Sequence, residues 1–105
     1  MIEVHRRLPP DFAKQHPLIH PSISDEHLAS AIEDPLRIPA DPEASYLESG
    51  VYYEIGSAGG GLPPFEIVEV LYQRLSDTEV EVIMAGLGSY DQLEQYVSAM
   101  GTGDD

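Results

Sequence analysis

Proline is distributed unevenly along this chain, and the distribution limits what each half can fold into. Seven of the nine prolines fall between Pro9 and Pro42. Because proline fixes φ, lacks an amide hydrogen and restricts the residue before it, this half favours extended segments and turns around one helix. The second half is richer in strand-forming residues. We therefore predict an α+β fold: a small antiparallel β-sheet of three to four strands, a helix in the N-terminal half and a C-terminal helix.

The first helix is predicted over residues 24–33, after an extended, proline-rich opening segment, 1–23. Ser24 can cap its N-terminus, and two acidic residues follow where the positive end of the helix dipole favours them. Pro35 ends the helix, because a proline there clashes with the preceding turn. The buried residues of this helix are predicted to be Leu28, Ala31 and Ile32, with Ile23 packing on Leu28.

The last helix is predicted to begin near Ser89. Ser89 and Gln92 have the spacing of a capping box, in which each side chain bonds the other residue's backbone. Gly101 is a suitable C-terminal stop, and residues 102–105 are predicted to be a frayed tail. Apolar residues follow the cap at helical spacing and are predicted to form the buried stripe: Leu93, Tyr96, Val97 and Met100.

Four segments have the composition of strands. Ile2 to Val4, Val51 to Ile55 and Thr78 to Ala85 carry β-branched or aromatic residues, partly in alternation with polar ones. The segment Phe65 to Leu75 fits both a strand and a helical face that follows Pro64. We predict a strand there. The hairpin that begins with Val51 to Ile55 is then connected through a run of three glycines.

The last two strands are predicted to pair through a turn at Ser76-Asp77. That register places Arg74 opposite Glu79 and Val70 opposite Ile83, with Leu71 and Val82 on the other face. Alternation along the final strand groups Val80, Val82 and Met84 on one face. Both faces of the pair are then partly apolar, so we expect the sheet to be covered on both sides or to bind a partner on one of them.

The charge of the chain limits its partners. It has 105 residues, with 19 acidic against 5 basic ones and a formal charge of -14. Such a field repels a phosphate backbone, so we predict no direct binding of nucleic acid and a basic protein as the partner. Its 42% hydrophobic content predicts a folded chain, and its length predicts a single domain, 1–105. The same acidity would also suit a salt-adapted proteome, and that alternative stays open.

Composition also excludes several kinds of site. The chain has no cysteine, which rules out disulfides, thiolate zinc sites and a cysteine nucleophile. No apolar run reaches the ~20 residues that span a bilayer, so we predict no membrane association and a cytoplasmic location.

Histidine and glycine patterns give weak signals for metal or phosphate binding. His16 and His20 have a metal-site spacing, but Pro17 lies between them and no zincin glutamate accompanies them. Gly86-Leu87-Gly88 fits a plain turn from strand to helix, and the third position of a dinucleotide motif would be the acidic Asp91. The glycine run lacks the lysine of a P-loop, and no Gly-x-Ser-x-Gly elbow occurs. We predict no metal, no cofactor and no catalytic residue.

Carboxylates cluster along the predicted sheet. In a chain this acidic, most such groups are expected to be solvated residues at a sheet edge. The more specific hypothesis is that they form a face recognised by a basic partner, as in proteins that imitate the phosphates of a nucleic acid. The candidate partner-binding residues are Glu54, Glu66, Glu69, Glu79 and Glu81.

The order of elements over residues 19–88 carries a family resemblance. The helix ends in Glu33-Asp34-Pro35-Leu36, an Asp-containing loop follows, and then come the strand that stops at Gly56 and the strands to Tyr72 and Ala85. This layout resembles the BrnT branch of the RelE-like toxins. The resemblance implies a small α+β fold with an antiparallel sheet, a ribonuclease activity on messenger RNA and tight pairing with a partner protein.

The sequence departs from that family at its basic residues. Family members place them after the Ile-Gly strand end and at the end of the last strand, where they hold an RNA phosphate. Here those places carry Ser57-Ala58 and Gly86-Leu87. The resemblance is therefore carried over to the fold and to no catalytic residue.

Three functions fit these observations. The first is a non-enzymatic inhibitor, such as an immunity protein, an antitoxin or a phage inhibitor, that occupies the basic site of a nuclease or another nucleic-acid-acting protein. The second is a ribonuclease toxin of the resembled family, in which the histidines and the arginines Arg6, Arg7, Arg37 and Arg74 would have to act. The third is a self-associating structural module, a homodimer in its simplest form.

Overall fold

The computed structural model describes residues 2–7, 18–41 and 47–101. Pro9-Pro10, His16 and the predicted tail 102–105 lie outside these ranges. The α+β class is confirmed, with one helix in the N-terminal half and one at the C-terminal end. In chain order the elements are β1 Glu3–Arg6, α1 Asp25–Glu33, β2 Ile38–Pro39, β3 Val51–Ser57, β4 Ile67–Arg74, β5 Glu79–Leu87 and α2 Tyr90–Gly101.

The strands form one sheet in the order β1-β5-β4-β3-β2. Its antiparallel part, β2 to β5, agrees with the prediction, and β4 is a strand as predicted for Phe65 to Leu75. Two features add to the prediction. The opening strand β1 pairs in parallel with β5, so the sheet is mixed, and β2 adds a two-residue edge against β3.

The predicted register between β4 and β5 is wrong. Arg74 lies opposite Val80 rather than Glu79, because the amides of Leu75 and Ser76 both bond the carbonyl of Glu79 and make the turn longer than a two-residue loop. A bulge then shifts the pairing again, so that Leu71 faces Met84.

The shift changes which side chains share a face. Val82 lies opposite the buried Tyr72, on the other side of the sheet from Leu71. The bulge turns Met84 to the opposite face from Val80 and Val82, and its side chain is 45% exposed. The predicted grouping of Met84 with these two valines, and of Leu71 with Val82, is therefore wrong.

The two helices lie on opposite faces of the sheet. The cluster under α1 contains Val68 and Val70 of β4, the cluster under α2 contains Ile67, and alternate residues of a strand point to opposite sides. On the α1 face the helix approaches β3 so closely that a Cβ at Gly56 would lie 2.2 Å from the carbonyl oxygen of Ala31. The core of this face includes Leu28, Ile32, Val68, Val70, Tyr72, Val80 and Val82. On the α2 face a smaller cluster contains Ile55, Ile67 and Tyr96.

Both helices begin at the predicted caps. The Ser24 Oγ accepts from the amide of His27, and the His27 ring accepts from the amide of Ser24, so histidine completes this capping box. Ser89 and Gln92 form the second box as predicted. In α2, however, Val97 is 51% exposed and is not part of the buried stripe, because the helix contacts the sheet along a narrow line that includes Tyr96.

Across the described ranges, no helix combines the length and the apolar character needed to cross a membrane.

Candidate functional site

The α2 face is only partly covered, and its uncovered part is the candidate site. We call this part the open face. α2 packs over Ile55 and Ile67. The rest of β4 and β5 on this face is not covered by any element of the described ranges. The open face consists of Glu69, Leu71 and Gln73 on β4 and Glu79, Glu81 and Met84 on β5. It combines carboxylates with apolar side chains, of which Met84 is 45% exposed.

Glu79 and Glu81 border the open face on the β1 side. The side chain of Glu79 is 45% exposed and that of Glu81 31% exposed. Arg7 reaches across from the end of β1, with its Nη2 2.6 Å from the Glu81 Oε1 and 3.1 Å from the Gln73 Oε1. This guanidinium neutralises one carboxylate, so the open face remains acidic.

Glu69 lies where the open face meets α2. Its carboxylate accepts a hydrogen bond from the Tyr53 hydroxyl at 3.1 Å and another from the Gln92 side-chain amide. It also borders a small depression with Tyr53, Met84 and Leu18. Glu69 therefore joins α2 to the sheet and contributes negative charge to the open face.

Glu54 and Glu66 do not lie on the open face. Glu54 accepts from Arg37 Nε at 3.1 Å and from the Tyr72 hydroxyl on the α1 side of the sheet. Burial and the contact with Glu54 raise the pKa of Tyr72 above its ordinary value. Of the five predicted partner-binding residues, Glu69, Glu79 and Glu81 therefore lie on one face of the sheet, and Glu54 lies on the other.

Glu66 shapes the connection between β3 and β4. Its φ of 58° is in the left-handed region, which is uncommon for a residue with a side chain. Its Oε1 accepts from the amide of Gly61 at 2.8 Å, and Gly59, Gly60 and Gly61 all have positive φ. The carboxylate therefore fixes a tight loop, and the glycines are needed there for their backbone angles.

Asp34 is the buried charged residue of the described ranges, 8% exposed. Burial opposes its ionisation, but hydrogen bonds from the Tyr96 hydroxyl and the amides of Ser57 and Leu36, together with Arg37, hold its pKa below the ordinary 3.8. Burial and the bond to Asp34 in turn raise the pKa of Tyr96 to about 12. Asp34 thus ties the end of α1 to β3 and α2.

The geometry around Asp34 does not resemble a catalytic centre. Asp34 lines a shallow depression beside α1 with Glu26, Glu33 and Ser30. Its Oδ1 accepts from Leu36, and its Oδ2 accepts from Ser57 and Tyr96. The Ser30 hydroxyl donates to the carbonyl of Ser57 at 2.9 Å. With these bonds made within the fold, neither side chain is positioned as a general base or a nucleophile.

The four arginines are each engaged within the domain. Arg6 Nε lies 2.7 Å from Asp25 on the α1 side, whereas Arg7 pairs with Glu81 on the open face. Arg37 pairs with Glu54, and Arg74 donates to the carbonyl of Ser76. Within the described ranges, these side chains do not converge on a shared cationic site.

Sequence reasoning missed one group of chemistry-bearing residues. Parallel pairing of β1 with β5 brings Glu3 and His5 next to Glu79 at the edge of the open face. His5 and Glu79 are 74 residues apart in sequence. Their spacing carries no motif, and only the parallel edge pairing, which composition does not indicate, brings them together.

No protein-family model, curated protein or solved structure matches this chain. The resemblance to the BrnT branch of the RelE-like toxins therefore stays a prediction, and the function rests on the residues themselves.

Proposed function

We propose that this protein is a non-enzymatic inhibitor that places its open face against the basic site of a nucleic-acid-acting protein. The carrying observation is the open face itself, where Glu69, Glu79 and Glu81 surround the apolar side chains of Leu71 and Met84. An apolar centre with charged surroundings is the arrangement that protein interfaces use. The chemistry of the partner follows from the charge: a cationic surface complements carboxylates.

The charge of the whole chain supports this proposal. At a formal charge of -14, the protein attracts a cationic partner over a distance and speeds its association. This charge already counts the arginines, of which Arg6, Arg7 and Arg37 are paired with carboxylates of the same chain. Immunity proteins, antitoxins and phage inhibitors of nucleases are the classes that fit, and the proposal places the protein in the cytoplasm.

Affinity purification from the native host tests the proposal. The tagged protein is captured at about 150 mM salt, where charges are screened beyond about 8 Å, and bound protein is released by raising the salt. We expect a basic nucleic-acid enzyme whose activity falls when the purified chain is added. Recovery of no stable partner, with candidate nucleases fully active in the presence of the chain, would overturn the proposal.

Self-association is the second candidate, and a separate observation favours it. The outer side of α2 exposes Tyr90, which is 60% exposed, and Val97, which is 51% exposed. A second copy could cover these side chains. Size-exclusion chromatography with light scattering distinguishes the two functions: a dimer that Val97→Ser disrupts supports self-association, and a monomer removes it.

The ribonuclease alternative has less support, because it needs cationic groups that act together on a phosphate. Arg37 and Arg74 are engaged by Glu54 and by the Ser76 carbonyl. Growth arrest on induction that disappears in Arg37→Ala or Arg74→Ala would favour this alternative, and harmless overexpression would count against it.

A further inference from the structure

The edge of the sheet where β1 meets β5 brings together three potential metal ligands. The His5 Nε2 lies 2.9 Å from the Glu3 Oε2 and 3.1 Å from the Glu79 Oε1. One ligand atom from each of the three residues lies within 4.8 Å of the others. All three side chains project on the same side of the sheet, because Glu3 is the direct partner of Glu79 and His5 is two residues further along β1.

This arrangement concentrates negative charge at one edge of the sheet. Like charges placed directly opposite each other on neighbouring strands destabilise a sheet. Glu3 and Glu79 form such a pair in a chain whose formal charge is already -14. The Arg7 guanidinium is held by Glu81 and Gln73 instead, and the His5 Nε2 contacts both the Glu3 and the Glu79 carboxylates. A divalent cation bound by Glu3, His5 and Glu79 would relieve the repulsion between the two carboxylates more fully than the contacts of this single ring nitrogen do.

The donors also have suitable geometry. Ligands about 2.0–2.2 Å from a tetrahedral zinc ion lie about 3.4 Å from one another. The two separations from the His5 Nε2, 2.9 and 3.1 Å, need to change by only a few tenths of an ångström. The ligand oxygens of Glu3 and Glu79 lie within 4.8 Å of each other, and the exposed side chains of Glu3 and His5 can adjust to close this distance. An imidazole with two carboxylates suits zinc better than magnesium or calcium, which bind oxygen ligands.

We propose that Glu3, His5 and Glu79 form a zinc-binding site that joins β1 to β5. Water occupies the remaining coordination position of the ion. Because Glu3 and His5 come from β1 and Glu79 from β5, bound zinc holds the edge of the sheet in place. Zinc that binds the folded chain stabilises it by mass action. This site is separate from the pair His16 and His20 that sequence spacing indicated.

Calorimetric titration of the EDTA-treated protein with zinc chloride tests the proposal. We expect one zinc per chain, a thermal midpoint that rises with zinc and falls again on adding EDTA, and a shift of the His5 ring signals in the NMR spectrum. His5→Ala and Glu79→Gln should each weaken binding at least tenfold. Both positions are partly exposed, so the variants are expected to fold, and circular dichroism checks this.

The double variant His16→Ala/His20→Ala is the matched control, and it should bind zinc as the unaltered chain does. Binding that survives in His5→Ala and disappears in this control would place the zinc elsewhere and overturn the proposal. Absence of saturable binding at millimolar zinc would overturn it as well. Neither result bears on the inhibitor function, which is measured in EDTA.

Discussion

The two faces of the sheet are built differently. The α1 face is closed by a continuous apolar core in which Leu28, Val70 and Val82 are fully buried. The α2 face has a small cluster around Ile55 and Ile67, and hydrogen bonds from the side chains of α2, to Asp34 and Glu69, hold the helix in place. Because burial of apolar surface supplies most folding stability, the α1 face contributes most to stability, and the part of the α2 face that the described residues leave uncovered is where we propose binding.

The largest expected difference between the faces comes from removing one apolar side chain on each. Leu28→Ala leaves a cavity under α1 and should lower the free energy of unfolding by about 3 kcal/mol. Met84→Ala on the open face, where the side chain is 45% exposed, should lower it by less than about 1 kcal/mol. Urea unfolding of both variants measures these free energies. Equal losses would contradict the difference in packing between the two faces.

A second comparison adds one methyl group to each face. In Gly56→Ala the new Cβ would lie 2.2 Å from the backbone oxygen of Ala31, which cannot move without displacing α1. We expect a loss of about 2–3 kcal/mol. In Gly86→Ala it would lie 3.2 Å from the Glu69 Oε1, which needs to shift by only a few tenths of an ångström, so the expected loss is below about 1 kcal/mol. A smaller loss for Gly56→Ala than for Gly86→Ala would mean that α1 is not tightly packed there.

The polar attachment of α2 is tested by Tyr96→Phe. This change removes the hydroxyl that donates to the buried Asp34 and should cost about 1–2 kcal/mol. Hydrogen exchange should speed up more in α2 than in α1, because α1 is also held by the apolar core of its face, whereas α2 packs on a smaller cluster. Uniform acceleration in both helices would show that the two faces are not independent.

The smallest expected effect is the pH dependence that Asp34 contributes. Its pKa in the folded protein is below the ordinary 3.8, so its stabilisation is complete above that value and is lost as the pH falls through the folded pKa. Asp34→Asn should therefore be less stable than the unaltered chain at pH 6, with a difference that shrinks by pH 3. Thermal midpoints across this range measure it, and a difference independent of pH would contradict the account.

Local signals in the sequence were sufficient for the helices and the central strands. Ser24 and Pro35 bound α1 because a cap and a helix breaker act within one turn, and Ser89 with Gln92 does the same for the start of α2. The strand assignment of Phe65 to Leu75 is confirmed as β4. In each case residues close in sequence determine the structure.

Long-range pairing could not be predicted in the same way. The parallel contact of β1 with β5, the longer turn after Leu75 and the bulge opposite Leu71 depend on packing against α1 and on backbone bonds across the sheet. For this reason Glu69, Glu79 and Glu81 could be predicted as candidates, but their separation from Glu54 and Glu66 could not. The proximity of His5 to Glu79 could not be predicted either, because it depends on the parallel pairing of β1 with β5.

The most direct test of the account compares two double variants in the affinity capture. Glu79→Gln/Glu81→Gln removes two of the three carboxylates of the open face, and Glu26→Gln/Glu94→Gln removes the same charge from the exposed surfaces of the two helices. Loss of the Glu81 ion pair with Arg7 should cost little stability, since it is a surface pair. In EDTA and about 150 mM salt, we predict that the open-face variant captures at least tenfold less of the partner than the unaltered chain does, while the control captures the same amount. Equal retention, or equal loss, in both variants would contradict a binding site on the open face.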